Sequence, residues 1–133
     1  VIALAAALML LTQTAPANAS VVVTFETGAT TGSVMVALYN SEAAYGGGAP
    51  VAAMAVPADG PVVARFENLP AGDYAVKAFH DVDGNGEMNT NPFGIPIEPY
   101  AFSNNAVGNM GPARWAAARF PVSGDTAQTI TIR

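Results

Sequence analysis

The sequence predicts an all-β protein, a sandwich of about seven short strands that carries one long irregular loop. Three observations lead there. Beyond Leu11 the chain has almost no helical period, only short runs in which apolar and polar residues alternate. Gly, Pro and Asn break those runs at close intervals. One segment, Asp81 to Ala113, keeps neither period and is nonetheless rich in aromatic and aliphatic residues.

The strands follow in order. Ser20 to Thr27 places Val21, Val23 and Phe25 on one face, and Ser33 to Asn40 does the same for Val34, Val36 and Leu38. Val51 to Val56 is a weaker, Ala-rich strand. Pro61 to Asn68 alternates Val62, Ala64 and Phe66 against Val63, Arg65 and Glu67. Asp73 to His80 alternates Tyr74, Val76 and Ala78 against Ala75, Lys77 and Phe79. Ala116 to Val122 and Gln128 to Arg133 complete the set. Between the second and third strands lies a loop from Ser41 to Pro50 containing Gly46-Gly47-Gly48. No Lys or helix start follows the triplet as a phosphate loop requires, so it is read as a flexible loop tip.

The run from Phe66 to Val76 is the most informative about fold. Leu69-Pro70-Ala71-Gly72 has turn chemistry, because Pro presets φ and Gly tolerates positive φ. A hairpin closed by that turn would bring Phe66, Leu69, Tyr74 and Val76 together in the core. The pattern resembles the penultimate hairpin of transthyretin-like and carboxypeptidase-regulatory-like sandwiches. The expected architecture is therefore an immunoglobulin-like or transthyretin-like β-sandwich.

The start of the chain is of another kind. Val1 to Leu11 is apolar and uncharged, and polar residues and then Ala17-Asn18-Ala19 follow it. A short apolar run ending in an A-x-A pattern is the mark of a signal peptide, too short to span a bilayer. Residues 1–19 are thus expected to be a cleaved signal peptide lacking its first residues, and 20–133 a single β-sandwich domain. The mature protein would be periplasmic or secreted, with no transmembrane anchor.

Composition narrows the function. The chain has no cysteine, which excludes disulfides and thiolate metal sites. Its net charge is −5, and its five basic residues, Arg65, Lys77, Arg114, Arg119 and Arg133, form no cluster. A nucleic-acid binder needs a basic patch to neutralise phosphates, so no nucleic-acid partner is expected.

Attention then falls on the long loop. Loops above about 12 to 15 residues inside a compact domain are usually functional or disordered. This one holds Phe93, Ile95, Ile97, Tyr100, Phe102 and Met110, which are expected to bury against the sandwich. Asp81, Asp83, Glu87 and Glu98 occur with no Lys or Arg between them, which favours a bound cation or full solvation. Asp81-Val82-Asp83-Gly84-Asn85-Gly86-Glu87-Met88-Asn89 follows the calcium-loop spacing D-x-[DN]-x-[DN]-G. Asp81, Asp83 and Asn85 would ligate through side chains, Glu87 through its carbonyl, and Asn89 through an oxygen or a water. The match to an EF-hand then fails, because Pro92 stands where a bidentate Glu is required and a strand, not a helix, precedes the loop. The last ligand must come from elsewhere, with Glu98 or Asn91 nearest. Ca2+ is the expected cofactor, and the alternative is an ordinary solvated turn.

Phe79-His80-Asp81-Val82-Asp83-Gly84-Asn85-Gly86, then Asn91 to Pro96, Glu98 to Ala106 and Gly111-Pro112 resemble the exported bacterial domain-of-unknown-function family 2141. The resemblance spans about Val21 to Ile132 and is most distinctive from Leu69 to Pro112. It implies a small secreted β-sandwich and carries no settled activity. The family usually has Asp where this chain has Asn89, so the motif here is one charge short.

An exported, non-catalytic domain with a calcium loop is the leading expectation. His80, Asp81 and Ser103 include the residue types of a nucleophilic triad, but no G-x-S-x-G elbow accompanies them. His80 is expected instead to bond a loop carbonyl or Asp81. An alternative is an extracellular carbohydrate- or peptide-binding module using an aromatic platform of Phe93, Tyr100, Phe102 and Trp115. A hydrolase using loop carboxylates such as Asp81 and Glu98 is the second alternative.

Overall fold

The alternating runs become eight strands in a computed structural model that describes residues 17–133. One sheet is three-stranded, in the order β4 (Val62–Leu69), β1 (Ala19–Thr27), β8 (Asp125–Ile132). The other is five-stranded. It runs β3 (Ala52–Pro57), β2 (Ser33–Tyr39), β5 (Gly72–Asp81), β6 (Tyr100–Phe102), and β7 (Phe120–Val122) pairs with the first residues of β5. β1 and β8 pair in parallel from Ser20↔Asp125 to Thr27↔Ile132.

The inner faces are those the alternation marks. Val21, Val23 and Phe25 of β1, Val34, Val36 and Leu38 of β2, Val62, Ala64 and Phe66 of β4, and Tyr74, Val76 and Ala78 of β5 join one buried cluster with Ile130 and Ile132. Each Val, Leu, Ile or Phe so buried contributes roughly 1.5–3 kcal/mol. This packing holds the sandwich together without any covalent staple.

Phe66, Leu69, Tyr74 and Val76 do meet in that cluster, but not through a hairpin. β4 pairs with β1, whereas β5 pairs with β2, so the Leu-Pro-Ala-Gly link carries the chain from one sheet to the other. Asn68 adopts a left-handed φ of 58°, and the Tyr74 hydroxyl donates to the Pro70 carbonyl at 2.6 Å. The tyrosine pins the corner to the strand that leaves it, as in immunoglobulin-like sandwiches.

Other differences are local. The run from Ala116 divides into a helical turn, Trp115–Ala118, and the short β7, whose Pro121 stands opposite Asp73 at the start of β5. Ser41 caps a second helical turn, Glu42–Tyr45, by accepting from Ala44 N, so the Ser41 to Pro50 loop is partly ordered. The last strand begins at Asp125, which pairs with Ser20 at the start of the parallel ladder and accepts from Ser20 Oγ at 2.7 Å. β6 lies inside the segment expected to hold no strand. Of the expected signal peptide, residues 1–16 lie outside the described residues, and Ala19 opens β1. No helix among the described residues is long and apolar enough to cross a membrane.

The loop's apolar residues depart furthest from expectation. Phe102 is buried, but Phe93 is 88% exposed and Met110 fully so, with Ile95, Ile97 and Tyr100 also exposed. The loop closes on itself by hydrogen bonds rather than by apolar packing. Asn91 Oδ1 accepts from Phe93 N and Ile95 N, and Thr90 bridges to Pro96. The aromatic platform of the alternative reading does not assemble as a unit: Trp115 packs on Tyr45, at 5.8 Å between ring centroids.

Candidate metal centre

Asp81 ends β5, so its side chain enters the loop from a fixed strand. Two backbone donors hold its carboxylate, Asn85 N at 3.2 Å and Gly86 N at 2.7 Å. Gly86 has φ of 81°, the sharp turn that an acidic loop of this spacing needs. Asn85 N is shared with Asp83 Oδ1, also at 3.2 Å. The first half of the motif thus coils as its spacing implies.

The second half is closed from a distance. Glu98 is buried, and its carboxylate spans the loop's mouth, accepting Val82 N at 2.8 Å and Asn89 N at 3.0 Å. One ligand atom each from Asp81, Asp83 and Glu98 lie within 4.8 Å of one another. Asp81 and Glu98 are buried and Asp83 is exposed. Three carboxylates at this spacing repel, and backbone N–H dipoles offset only part of that repulsion. No Lys or Arg joins them: the one ion pair among the described residues, Arg119 to Asp73, lies elsewhere. The cluster therefore has the donor set to hold a metal ion, with hard oxygen ligands open on the Asp83 side.

The remaining expected ligands occupy graded positions. Asn89 Nδ2 donates to Asp83 at 2.6 Å, and this bond, with help from Asn85 N, holds the Asp83 carboxyl below the usual carboxylate range. Asn85 Nδ2 donates to Asn89 Oδ1, also at 2.6 Å, so both amides rim the cluster. Glu87 is exposed and adds no carboxylate to it. Asn91, the other candidate for the last ligand, spends its side-chain oxygen on its own turn.

His80 and Ser103 are tied up separately. His80 is fully buried, and its Nε2 donates to the Thr31 carbonyl at 2.7 Å, while its Nδ1 meets no partner among the described residues. Thr31 Oγ1 in turn donates to the Val82 carbonyl, so the turn before β2 braces the start of the acidic loop. Ser103 Oγ donates to the Ala118 carbonyl and accepts Val76 N at 2.9 Å. Neither side chain bonds the other. The bracing by Thr31 was not legible in the sequence, because a lone Thr 51 residues from Val82 carries no pattern.

The family model described as "Uncharacterized protein conserved in bacteria (DUF2141)" matches residues 22–131. No curated protein and no solved structure matches the chain.

Proposed function

The chain belongs to the bacterial DUF2141 family, and from that premise we propose an exported, non-catalytic β-sandwich whose long loop is shaped by a bound calcium ion. The observation that carries this reading is Glu98. It brings a buried carboxylate to Asp81 and Asp83 from outside the motif, in the role of the acid that Pro92 cannot supply. The Glu87 carbonyl would add to a mixed shell of the kind calcium takes, as would the Asn85 and Asn89 oxygens once released from the bonds they make to Glu87 N and Asn85 Nδ2. Magnesium demands a tighter octahedron and should substitute poorly.

The non-catalytic reading has its own support. Ser103 Oγ and His80 Nε2 are bonded to backbone groups away from one another. Asp81 and Glu98 are buried under backbone donors, which leaves them little access to a substrate bond.

The test is a pair of melts, in calcium and in chelator. Saturation at about 100 times the dissociation constant should stabilise the fold by roughly 2.7 kcal/mol. Asp81→Ala should abolish the calcium-dependent rise, whereas Glu42→Ala, in the exposed turn after β2, should leave it intact. Identical melts of the unaltered protein in both conditions would count against the ion.

Export is tested separately. Mass analysis of material recovered outside the cytoplasm should find Ser20 as the first residue, because Ala17 and Ala19 suit signal peptidase. Recovery of Val1 in that material would rule the cleavage out. Cutting there removes only the first residue of β1, which a register shift already separates from Val21.

A further inference from the structure

The outer face of the five-stranded sheet is unusually apolar. Its cross-strand pairs line up in two rows: Ala55, Met35, Phe79 and Tyr100 in one, and Ala53, Ala37, Lys77 and Phe102 in the next. An antiparallel sheet with one face on the core ordinarily turns polar residues outward. Here Lys77 is the one charged residue in either row. The three alanines keep the floor low over β3 and β2. Met88, Ile95, Pro96 and Met110 of the long loop stand beside it, and together they enclose a cleft of about 1080 Å³. Clefts of roughly 300–1000 Å³ are typical of small-molecule sites. Tyr100, Ile95 and Met110, all exposed, flank its mouth.

Lys77 gives the cleft a polarity. Its Nζ donates to the Tyr45 carbonyl at 2.5 Å and lies 4.3 Å and 5.0 Å from the ring centroids of Tyr45 and Tyr39. An ammonium has three donors, and this bond uses one. No carboxylate among the described residues pairs with it. Burial also lowers its pKa from the ordinary lysine value, the mark of a cation that would gain from an anion.

We propose that this cleft binds a single-chain amphiphile with a carboxylate head, its hydrocarbon lying on the alanine floor and its head group on Lys77. The inference goes beyond the calcium reading and does not depend on it. A sugar is a poorer occupant, because among the described residues the polar side chains lining the cleft are Tyr39, Lys77 and Tyr100 alone. An extended peptide is poorer too. It would pair along the free edge of β3 rather than lie across the floor, because β2 and β5 within the floor are hydrogen-bonded on both sides.

The test titrates the mature chain, in calcium and again in chelator, with dodecanoate, dodecanol and dodecyltrimethylammonium below their aggregation limits. Dodecanoate should bind once per chain, and the alcohol and the cation about ten-fold or more weakly, the ratio expected of one charge-assisted contact. Lys77→Met should bring dodecanoate down to the affinity of the alcohol, and Lys77→Arg should keep the preference. Ala55→Trp, which fills the floor from an exposed position, should abolish binding of all three while the protein still melts cooperatively. Equal affinity for the anion and the cation, or a preference that survives Lys77→Met, would overturn the proposal. So would binding untouched by Ala55→Trp, dimerisation that hides the cleft, or capture of an apolar peptide or an oligosaccharide in place of dodecanoate. Dodecanoate should bind alike in calcium and in chelator, and loss of its binding in chelator alone would overturn the proposal as stated. Loss of the calcium-dependent melt with binding retained would overturn the ion and leave the cleft.

Discussion

Phe66→Ala is expected to cost about 3–5 kcal/mol of folding stability, the range for removing a buried aromatic ring. Phe66 is 3% exposed, sits on β4 opposite Val21 and belongs to the central cluster that joins both sheets. Its ring fills the space just before the corner that Tyr74 pins to Pro70. Neighbours from two sheets cannot all collapse onto the vacated volume, so a cavity term adds to the lost transfer energy. Denaturant unfolding reads this directly. A loss below about 1 kcal/mol would mean that the ring does not lie in a packed core.

Gly32→Ala is the second large effect, and it reaches the metal centre as well as the fold. Gly32 has φ of 68°, and an added Cβ would stand 1.9 Å from the Asp81 carbonyl oxygen. The left-handed backbone alone costs a non-glycine residue of order 1–3 kcal/mol. The clash must then push the turn before β2 away from Asp81 and Val82, against the Thr31 bonds to His80 and Val82. Both the melting temperature and the calcium-dependent rise should fall. Gly60→Ala, at a glycine with open space around it, should change little. A Gly32→Ala protein with unaltered stability and calcium response would show that this turn does not brace the loop.

The strand faces were legible because period-two alternation is a local property. Val21, Val23 and Phe25 point inward in the sequence pattern and in the sandwich alike. Which sheet a strand joins is not local. Whether the Leu69 to Gly72 link closes a hairpin or crosses between sheets turns on Asn68 φ and one tyrosine hydroxyl, neither of which a pattern encodes. β6 escaped because three residues carry too little alternation to register.

The same division holds for the site. Asp81, Asp83 and Asn85 are written contiguously as a motif, and the coil around Gly86 follows from it. Glu98 lies nine residues past Asn89 and is recruited by the backbone groups it accepts. It stood out only because the motif's final position is Pro92. The apolar loop residues misled, since pattern reading sends hydrophobic side chains inward. Phe93 and Met110 stay outside because side-chain amides and backbone bonds close the loop, and the sheet face beneath it is left as a cleft.

Asp81, Asp83 and Glu98 are proposed to hold one calcium ion together. Calorimetric titration of calcium into the chelator-treated mature chain, repeated with Glu98→Gln, tests it most directly. Val82 N and Asn89 N donate to different oxygens of Glu98, so the amide keeps the side chain's shape, removes the charge and gives up one of those two bonds. One ion per chain should bind the unaltered protein with measurable heat, and Glu98→Gln should lose that binding while melting cooperatively in chelator. Absence of binding heat in the unaltered chain, or undiminished binding by Glu98→Gln, would contradict the account.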